Sequence, residues 1–368
     1  MKISIYNTCT DFDSYRAARV KSLFNVESGA NFNLELDLPI EDDSWKIGVI
    51  VGPSGSGKSS IGQKLGTFYD PVWPEDKPII DAISGEFNHI AGALSAVGLG
   101  SVPSWLRPYG VLSNGEKFRA TMARLVCDAP DFAVVDEFTS VVDRQIAQIG
   151  AGAFAKSWRK TGKKVVLLSC HYDILDWINP DWVFDTSTGQ YERGYLRRRP
   201  SLEMHITETN WSYWPLFEKH HYLKLPHMIA STCYVASINK EPVAHVAFAP
   251  RPGLIEGRAS RLVVMPEWQG AGVGMAFLNA VSDLWKQGLN RYQKPMPTLF
   301  HTSHPGLANA LRNDPKWTQV SAKLHGDHKM KATESINKSA VKNGFTPAGK
   351  AGHGGHFRAI QGFRFIGN

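Results

Sequence analysis

The sequence has little cysteine and none arranged as a framework. Cys9, Cys127, Cys170 and Cys233 stand far apart in 368 residues, with no CxxC pair. That spacing excludes a disulfide scaffold and a zinc ribbon, and reduced, mostly buried thiols are expected. No run of about 18 apolar residues occurs, so no membrane partner is expected. The opening "MKISIYNTCTDFDSYR" has no apolar stretch leading to a small-residue cleavage site, and the expectation is a soluble, cytoplasmic protein. Internal repeats are also lacking. What is present is 43% hydrophobic content over a length that suits two cored domains.

Acidic residues are scarce in one half only. Residues 1–190 hold 18 Lys+Arg against 23 Asp+Glu, whereas residues 191–368 hold 23 against 11. The net charge of +7 therefore belongs to the C-terminal half. A field of that sign favours a polyanion such as nucleic acid, or an acidic cofactor, over a plain basic surface.

The first half alternates β-rich runs ("KISIYNT", "FNLELDLPI", "WKIGVIVG", "DFAVVDEF", "KKVVLLSCH") with helical patterns such as "GEKFRATMARLVCDA". Buried strands alternating with helices predict an α/β domain on a largely parallel sheet, over residues 1–190. Turn residues and the run Arg197–Arg199 suggest a basic linker over 191–204, either solvated or a phosphate-contacting arm. A second domain is expected over 205–368, entered by the aromatic stretch Asn210–His227. There, packing on a sheet competes with stacking on unpaired bases. "STCYVASINKEPVAHVAFAP" reads as a hairpin, and "FRAIQGFRFIG" as a last strand.

Two glycine loops lie between a strand and a helix. Gly52-Pro-Ser54-Gly55-Ser-Gly57-Lys58-Ser59-Ser60 fits G-x-x-x-x-G-K-[ST]. Its backbone N–H groups can cradle phosphates, Lys58 neutralise their oxygens, and the Ser59 hydroxyl ligate Mg²⁺. Asp136 and Glu137 end a buried strand, an expensive place for paired acids without a metal. Asp136 suits the Mg²⁺ and Glu137 the attacking water.

"LSNGEKFRATMARLV" (Leu112–Val126) resembles the signature of ATP-binding-cassette (ABC) ATPases. It stands just ahead of "DFAVVDEF", with "SVVD" (Ser140–Asp143) and His171 following in the family's order. The resemblance implies ATP held between two copies in a head-to-tail homodimer, with Ser113, Gly115 and Asp143 reaching it and His171 sensing the γ-phosphate. One departure is plain: between Ser60 and Leu112 the only glutamine is Gln63, on the P-loop helix. The family's coupling glutamine thus lacks a clear counterpart, and Ser84–Ile90 is the segment expected to replace it.

The second loop, Gln269-Gly270-Ala-Gly272-Val-Gly274, fails as a dinucleotide fingerprint because Met275 stands where the third glycine belongs. It fits [RQ]-x-x-G-x-[GA] and resembles motif A of the GCN5-related N-acetyltransferases (GNAT). The resemblance implies an α+β mixed-sheet domain and acetyl-CoA, with its pyrophosphate on Gln269, Gly270, Gly272 and Gly274 and its pantetheine arm along Leu262 to Val264. Acyl transfer to an amine needs a base and a donor near the leaving sulfur. Glu256 and His245 are candidates for the base, and Asn309 or Ser303 for the donor. Three H-x-x-H pairs (His301/His304, His325/His328, His353/His356) have metal-ligand spacing, two of them in Gly-rich or charged loop sequence with no carboxylate or cysteine partner in view.

These readings combine into an ABC-type ATPase fused to a GNAT-like N-acyltransferase for an amine on nucleic acid. The alternatives are an ATP-driven nucleic-acid clamp with a non-catalytic GNAT fold, and an acetyltransferase for protein or small-molecule amines.

Overall fold

The computed structural model describes residues 1–8, 12, 14–24, 31–42, 44–194, 202–221, 227–228, 230–251, 253–325 and 358–367. Arg197–Arg199 and His328, His353 and His356 lie outside them. Two compact units result, 1–85 with 108–200, and 86–107 with 201–368.

The chain begins with β1 (Lys2–Thr8), α1 (Tyr15–Phe24) and β2 (Asn31–Asp37). It continues through β3 (Ile47–Val51), α2 (Lys58–Leu65), α3 (Ile79–Ala82), α4 (Phe87–Ala96) and α5 (Val102–Trp105). Next come α6 (Asn114–Asp128), β4 (Phe132–Val135), α7 (Arg144–Trp158), β5 (Lys164–Ser169), α8 (Leu175–Ile178), β6 (Trp182–Asp185) and β7 (Gln190–Arg193). The remainder is β8 (His205–Thr209), α9 (Trp214–Glu218), β9 (Thr232–Ile238), β10 (Glu241–Pro250), β11 (Gly257–Val264) and α10 (Val273–Lys286), then β12 (Thr298–Thr302), α11 (Pro305–Asn313), β13 (Trp317–His325) and β14 (Arg358–Phe365).

In the first unit the sheet order is β4-β5-β3-β6-β7, with the first four strands parallel and β7 antiparallel. β3 is buried along its whole length and β5 nearly so, because both faces of a parallel sheet are covered. Ile50, Val134, Val166 and Leu168 pack in one core with Ile3 and Ile5 of the β1–β2 hairpin. Parallel strands bring the loops after β3, β4 and β5 to one carboxyl edge, where ligands bind in open α/β sheets.

The second unit is a seven-stranded sheet, β13-β14-β12-β11-β10-β9-β8, whose only parallel neighbours are β11 and β12. Asn239 and Lys240 both take positive φ (51° and 70°), as a two-residue hairpin turn with the strands' twist requires. α10 buries Phe277, Leu278, Val281 and Trp285, and α10 packs against β10, β11 and β12. Trp214 and Phe217 of α9 join Val235 and Val263 in a separate cluster, so packing accounts for this part of the aromatic stretch.

The discontinuity in the units differs from the division at 190 expected above. Residues 86–107 interrupt the ATPase-like motifs in sequence, yet α4 packs against α11 and Gly100 hydrogen-bonds both Gln269 and His304. Their tertiary contacts place them with the second unit.

Candidate functional site

The loop after β3 builds the first cradle. Gly55 (φ 80°) and Gly57 (φ 87°) take left-handed conformations, and Gly57 is the N-cap of α2 with no side chain closing the helix end. A Cβ at Gly55 would meet no protein atom within 4 Å, so open space lies in front of the loop. Lys58 Nζ donates to the loop carbonyls of Gly52 (2.8 Å) and Pro53 (2.7 Å). A cleft of about 380 Å³ is lined by residues of this loop, including Ser59 and Ser60, together with Asp136, Glu137 and Ser140. Open N–H groups, an ammonium, a hydroxyl and two carboxylates in one cleft fit a nucleotide with Mg²⁺.

The turn after β4 is strained where it carries that chemistry. Glu137 (φ 48°) and Thr139 (φ 71°) both take positive φ, and Phe138 between them is buried against Phe118 and Phe154. The Phe138 N–H donates to Leu168 O at 2.8 Å, tying the turn to β5. Packing therefore holds a conformation costing about 1–3 kcal/mol per residue. The Glu137 N–H donates to Asp136 Oδ1 (2.8 Å). His171 Nδ1 lies 3.5 Å from Thr139 Oγ1, and burial followed by the nearby Arg144 lowers its pKa.

Other sequence-predicted residues hold helix ends. Ser113 caps α6 in a reciprocal box with Glu116, whose carboxylate also accepts from the Ser113 hydroxyl at 2.9 Å. Asp143 caps α7 by accepting from the Gln145 N–H. Gly115 packs closely on Ile146. The expected replacement for the missing glutamine, Ser84–Ile90, runs into α4 of the second unit. Strand register points elsewhere: Phe68 bridges Val134 in parallel and the Tyr69 N–H donates to Val134 O at 2.7 Å. Asp70, two residues beyond that bridge, is exposed. Sequence reading missed Asp70 because a search for glutamine passes over an acid, although "FYDP" is a short β-rich run ended by a proline.

The second cradle repeats the first in backbone. Gly270 (φ 91°) and Gly272 (φ 87°) take left-handed conformations, Gly272 is the N-cap of α10, and no side chain closes that end. A Cβ at Gly272 would again meet nothing within 4 Å, while one at Gly274 would press on Val264. Beside the loop, β11 pairs with β12 only at Gly257, Arg258 and Ala259 but runs on to Val264. That leaves Leu262 and Val264 on a strand edge that has parted from β12. An open helix N-terminus beside splayed parallel strands fits a pyrophosphate followed by an extended arm.

A bulge marks the same strand. Between His245↔Val263 and Ala247↔Ser260, β11 carries one extra residue, and Arg261 there has φ 58°. His245 Nδ1–H donates to the Arg261 carbonyl (3.2 Å), which assigns the lone pair to Nε2. Nε2 has no partner among the described residues. The ring is wholly buried, with Trp214 and Phe217 tilted against it, and burial pushes its pKa down to about 4. Glu256 is 5% exposed, with its two oxygens engaged by Arg251 and, at 3.3 Å, Arg364. Neither candidate base therefore offers a lone pair to an incoming amine: one is enclosed, the other ion-paired. Of the candidate donors, Asn309 accepts from Asn313, whereas Ser303 Oγ, just past the end of β12, has no partner among the described residues. Gln269 is also committed internally, donating to Val264 O (3.0 Å) and accepting from the Gly100 N–H (2.9 Å). Among the described residues no three His, Cys, Asp or Glu side chains gather to hold a metal, and no helix is long and apolar enough to cross a membrane.

Comparison with known proteins finds similarity of two kinds. The model of the acetyltransferase (GNAT) family matches residues 174–296, beginning ahead of the unit boundary at Ser201 and stopping before β12. ATP-binding cassette sub-family D member 3 of Rattus norvegicus is 28% identical over 179 residues, 34% of this chain and 27% of that protein. The chain thus spans about a quarter of this relative's length. Among solved structures, the dimeric ATP-binding cassette MJ0796 in a post-hydrolysis state with ADP and Pi shares 15% identity, with 52% of this chain and 98% of that one covered and a TM-score of 0.36. A cobalt transport ATP-binding protein shares 16%, over 56% and 82% of the two chains, with a TM-score of 0.36. The chain is a fusion of an ABC ATPase-like region and a GNAT-like mixed-sheet domain.

Proposed function

We propose that the chain is a Mg²⁺-dependent ATPase joined to an acyl-CoA-dependent N-acyltransferase that acts, in the cytoplasm, on an amine carried by nucleic acid. The observation that carries this reading is the pair of open helix N-termini, alike in backbone and unlike in the side chains around them.

At the first cradle Lys58 and the N–H groups of α2 bind phosphate oxygens, Ser59 and Asp136 hold the metal, and Glu137 orients water. Bound Mg²⁺ supplies charge neutralisation of the phosphates. Asp70, two residues beyond the Phe68–Val134 bridge, takes the place of the missing glutamine. The single set of motifs supports a head-to-tail homodimer, in which Ser113 and Gly115 of one copy face the ATP of the other.

At the second cradle the N–H groups of α10 bind the pyrophosphate of acetyl-CoA, with Leu262 along the pantetheine arm. Ser303 donates to the leaving sulfur. His245 acts as a positioning residue: by donating to the Arg261 carbonyl it fixes the bulge. With both candidate bases closed off, orientation of a free-base amine against the thioester carries much of the acceleration. The amine nitrogen attacks the thioester carbon, the C–S bond breaks, the sulfur leaves as thiol and the amine loses one proton.

The basic balance of residues 191–368 supports a nucleic-acid acceptor, although nine of its 23 Lys and Arg lie outside the described residues. Incubation with labelled acetyl-CoA, ATP and total cellular nucleic acid tests the reading. Label in the nucleic-acid fraction, lost in a Gly272→Glu variant, supports it. Label only in protein or in small amines overturns the acceptor assignment.

A further inference from the structure

The segment 86–107 leaves the nucleotide-binding unit after Gly85 and rejoins it at Pro108, between the P-loop helix and the signature helix in chain order. Within the second unit it meets the acyl-CoA cradle at one short stretch. Gly98 has φ 91°, and a Cβ there would lie 2.3 Å from the carbonyl oxygen of Gln269, so only glycine lets the chains approach this closely. Gly100 is clamped at both its polar atoms. Its N–H donates to Gln269 Oε1 (2.9 Å), and its carbonyl accepts from His304 Nε2 (3.0 Å).

The groups that clamp it are fixed in turn. His304 Nδ1 accepts from the Leu307 N–H (3.2 Å) at the start of α11, so the proton is on Nε2 and the ring is held as a donor to Gly100. Gln269 passes the contact to the end of β11 through Val264 O. On the segment's own side, Trp105 Nε1 donates to Leu99 O (2.7 Å), and its ring stands edge-on to His304 with centroids 5.6 Å apart. Beyond the loop's own hydrogen bonds, residues 98–100 hold Gln269 from a segment whose two ends are covalently fastened to the first unit.

We infer that residues 98–100 are the positioning element of the second cradle, and that through them ATP occupancy at the first cradle sets the affinity of the second for acyl-CoA. The inference rests on the acyl-CoA reading of that cradle. ATP that shifts the ends of the segment changes how well Gly98 and Gly100 hold Gln269, and therefore how well the α10 N–H groups are aimed. Linkage requires the reverse effect to be of equal size.

The test uses the full chain carrying Glu137→Gln, titrated calorimetrically with coenzyme A with and without ATP and Mg²⁺, and with ATP with and without coenzyme A. At least a fivefold change in coenzyme A affinity is expected, matched by the same factor for ATP. Gly98→Ala is expected to bring the ratio within twofold of unity at unchanged ATP affinity, and His304→Ala to reduce it. Hydrogen exchange of residues 262–275 in the Glu137→Gln chain, with and without ATP, gives a reading that needs no further variant to fold and no coenzyme A. A change in protection on ATP binding supports the coupling. Equal protection in both states, with ATP binding demonstrated, overturns it, as does a coenzyme A affinity indifferent to ATP. If coenzyme A binds in no state, the acyl-CoA reading fails while the exchange experiment still decides the coupling.

Discussion

The two cradles use one backbone for two purposes. In each, glycines two residues apart take left-handed φ (Gly55 and Gly57; Gly270 and Gly272), the second caps a helix, and no side chain closes the helix end. The surroundings separate them: the first has Lys58, Ser59 and a pair of carboxylates in its cleft, the second a parted strand edge and a loop braced by Gln269. A helix N-terminus recognises an anion, and the side chains beyond it decide whether that anion is cleaved or only held. The signature helix α6 offers a third comparison, since its N-terminus is closed by the Ser113–Glu116 box.

The largest effects should break the two cradles apart. Lys58→Ala is expected to cut ATP turnover by at least about 10²-fold while coenzyme A affinity, measured without ATP, stays within about twofold. Gly272→Glu should do the opposite, because it forces a charged side chain into a left-handed position in front of the cradle. Filter binding of both ligands to both variants checks the pair. Glu137→Gln should slow hydrolysis by about 10²-fold, retain ATP and accumulate dimer in light scattering; a monomer with unchanged turnover would remove the sandwich from the account.

Next in size, Ser303→Ala should lower the acyl-transfer rate by about 10²-fold with KM little changed, as for loss of a donor acting only in the transition state. His245 gives a stability effect. Its folded pKa, about 4, lies below the ordinary value near 6.5. Between those values the unfolded chain binds the extra proton, so stability is lost as the pH is lowered through this window. Integration gives a loss of about 2 kcal/mol between about pH 7.5 and pH 5. His245→Gln should remove most of this slope in thermal melts, and an unchanged slope would contradict the burial argument. The smallest effect belongs to Asp70→Ala, for which the Mg²⁺ concentration at half-maximal ATPase rate should rise about threefold.

Much of the fold was legible because local pattern and tertiary environment agreed. The strand runs around both glycine loops, the hairpin over 232–250 and the last strand all form, since each couples β-rich composition to turn residues at its borders. The motifs of the first site were legible for the same reason, being contiguous in sequence. Residues 86–107 were not, because what assigns them to the second unit is contact with Gln269 and His304, about 170 to 200 positions away. Glu256 and His245 show the same limit from the other side. As residue types both suit a base, but only packing reveals that Arg251 and Arg364 engage one and that Trp214 and Phe217 enclose the other.

The central claim is that one chain holds two different ligands at two similar helix ends. Calorimetric titration of coenzyme A into the Glu137→Gln chain already saturated with ATP and Mg²⁺ tests it most directly. One coenzyme A bound per chain, with ATP retained, is the expected result. Coenzyme A that displaces ATP, or that binds equally well after Gly272→Glu, would contradict it.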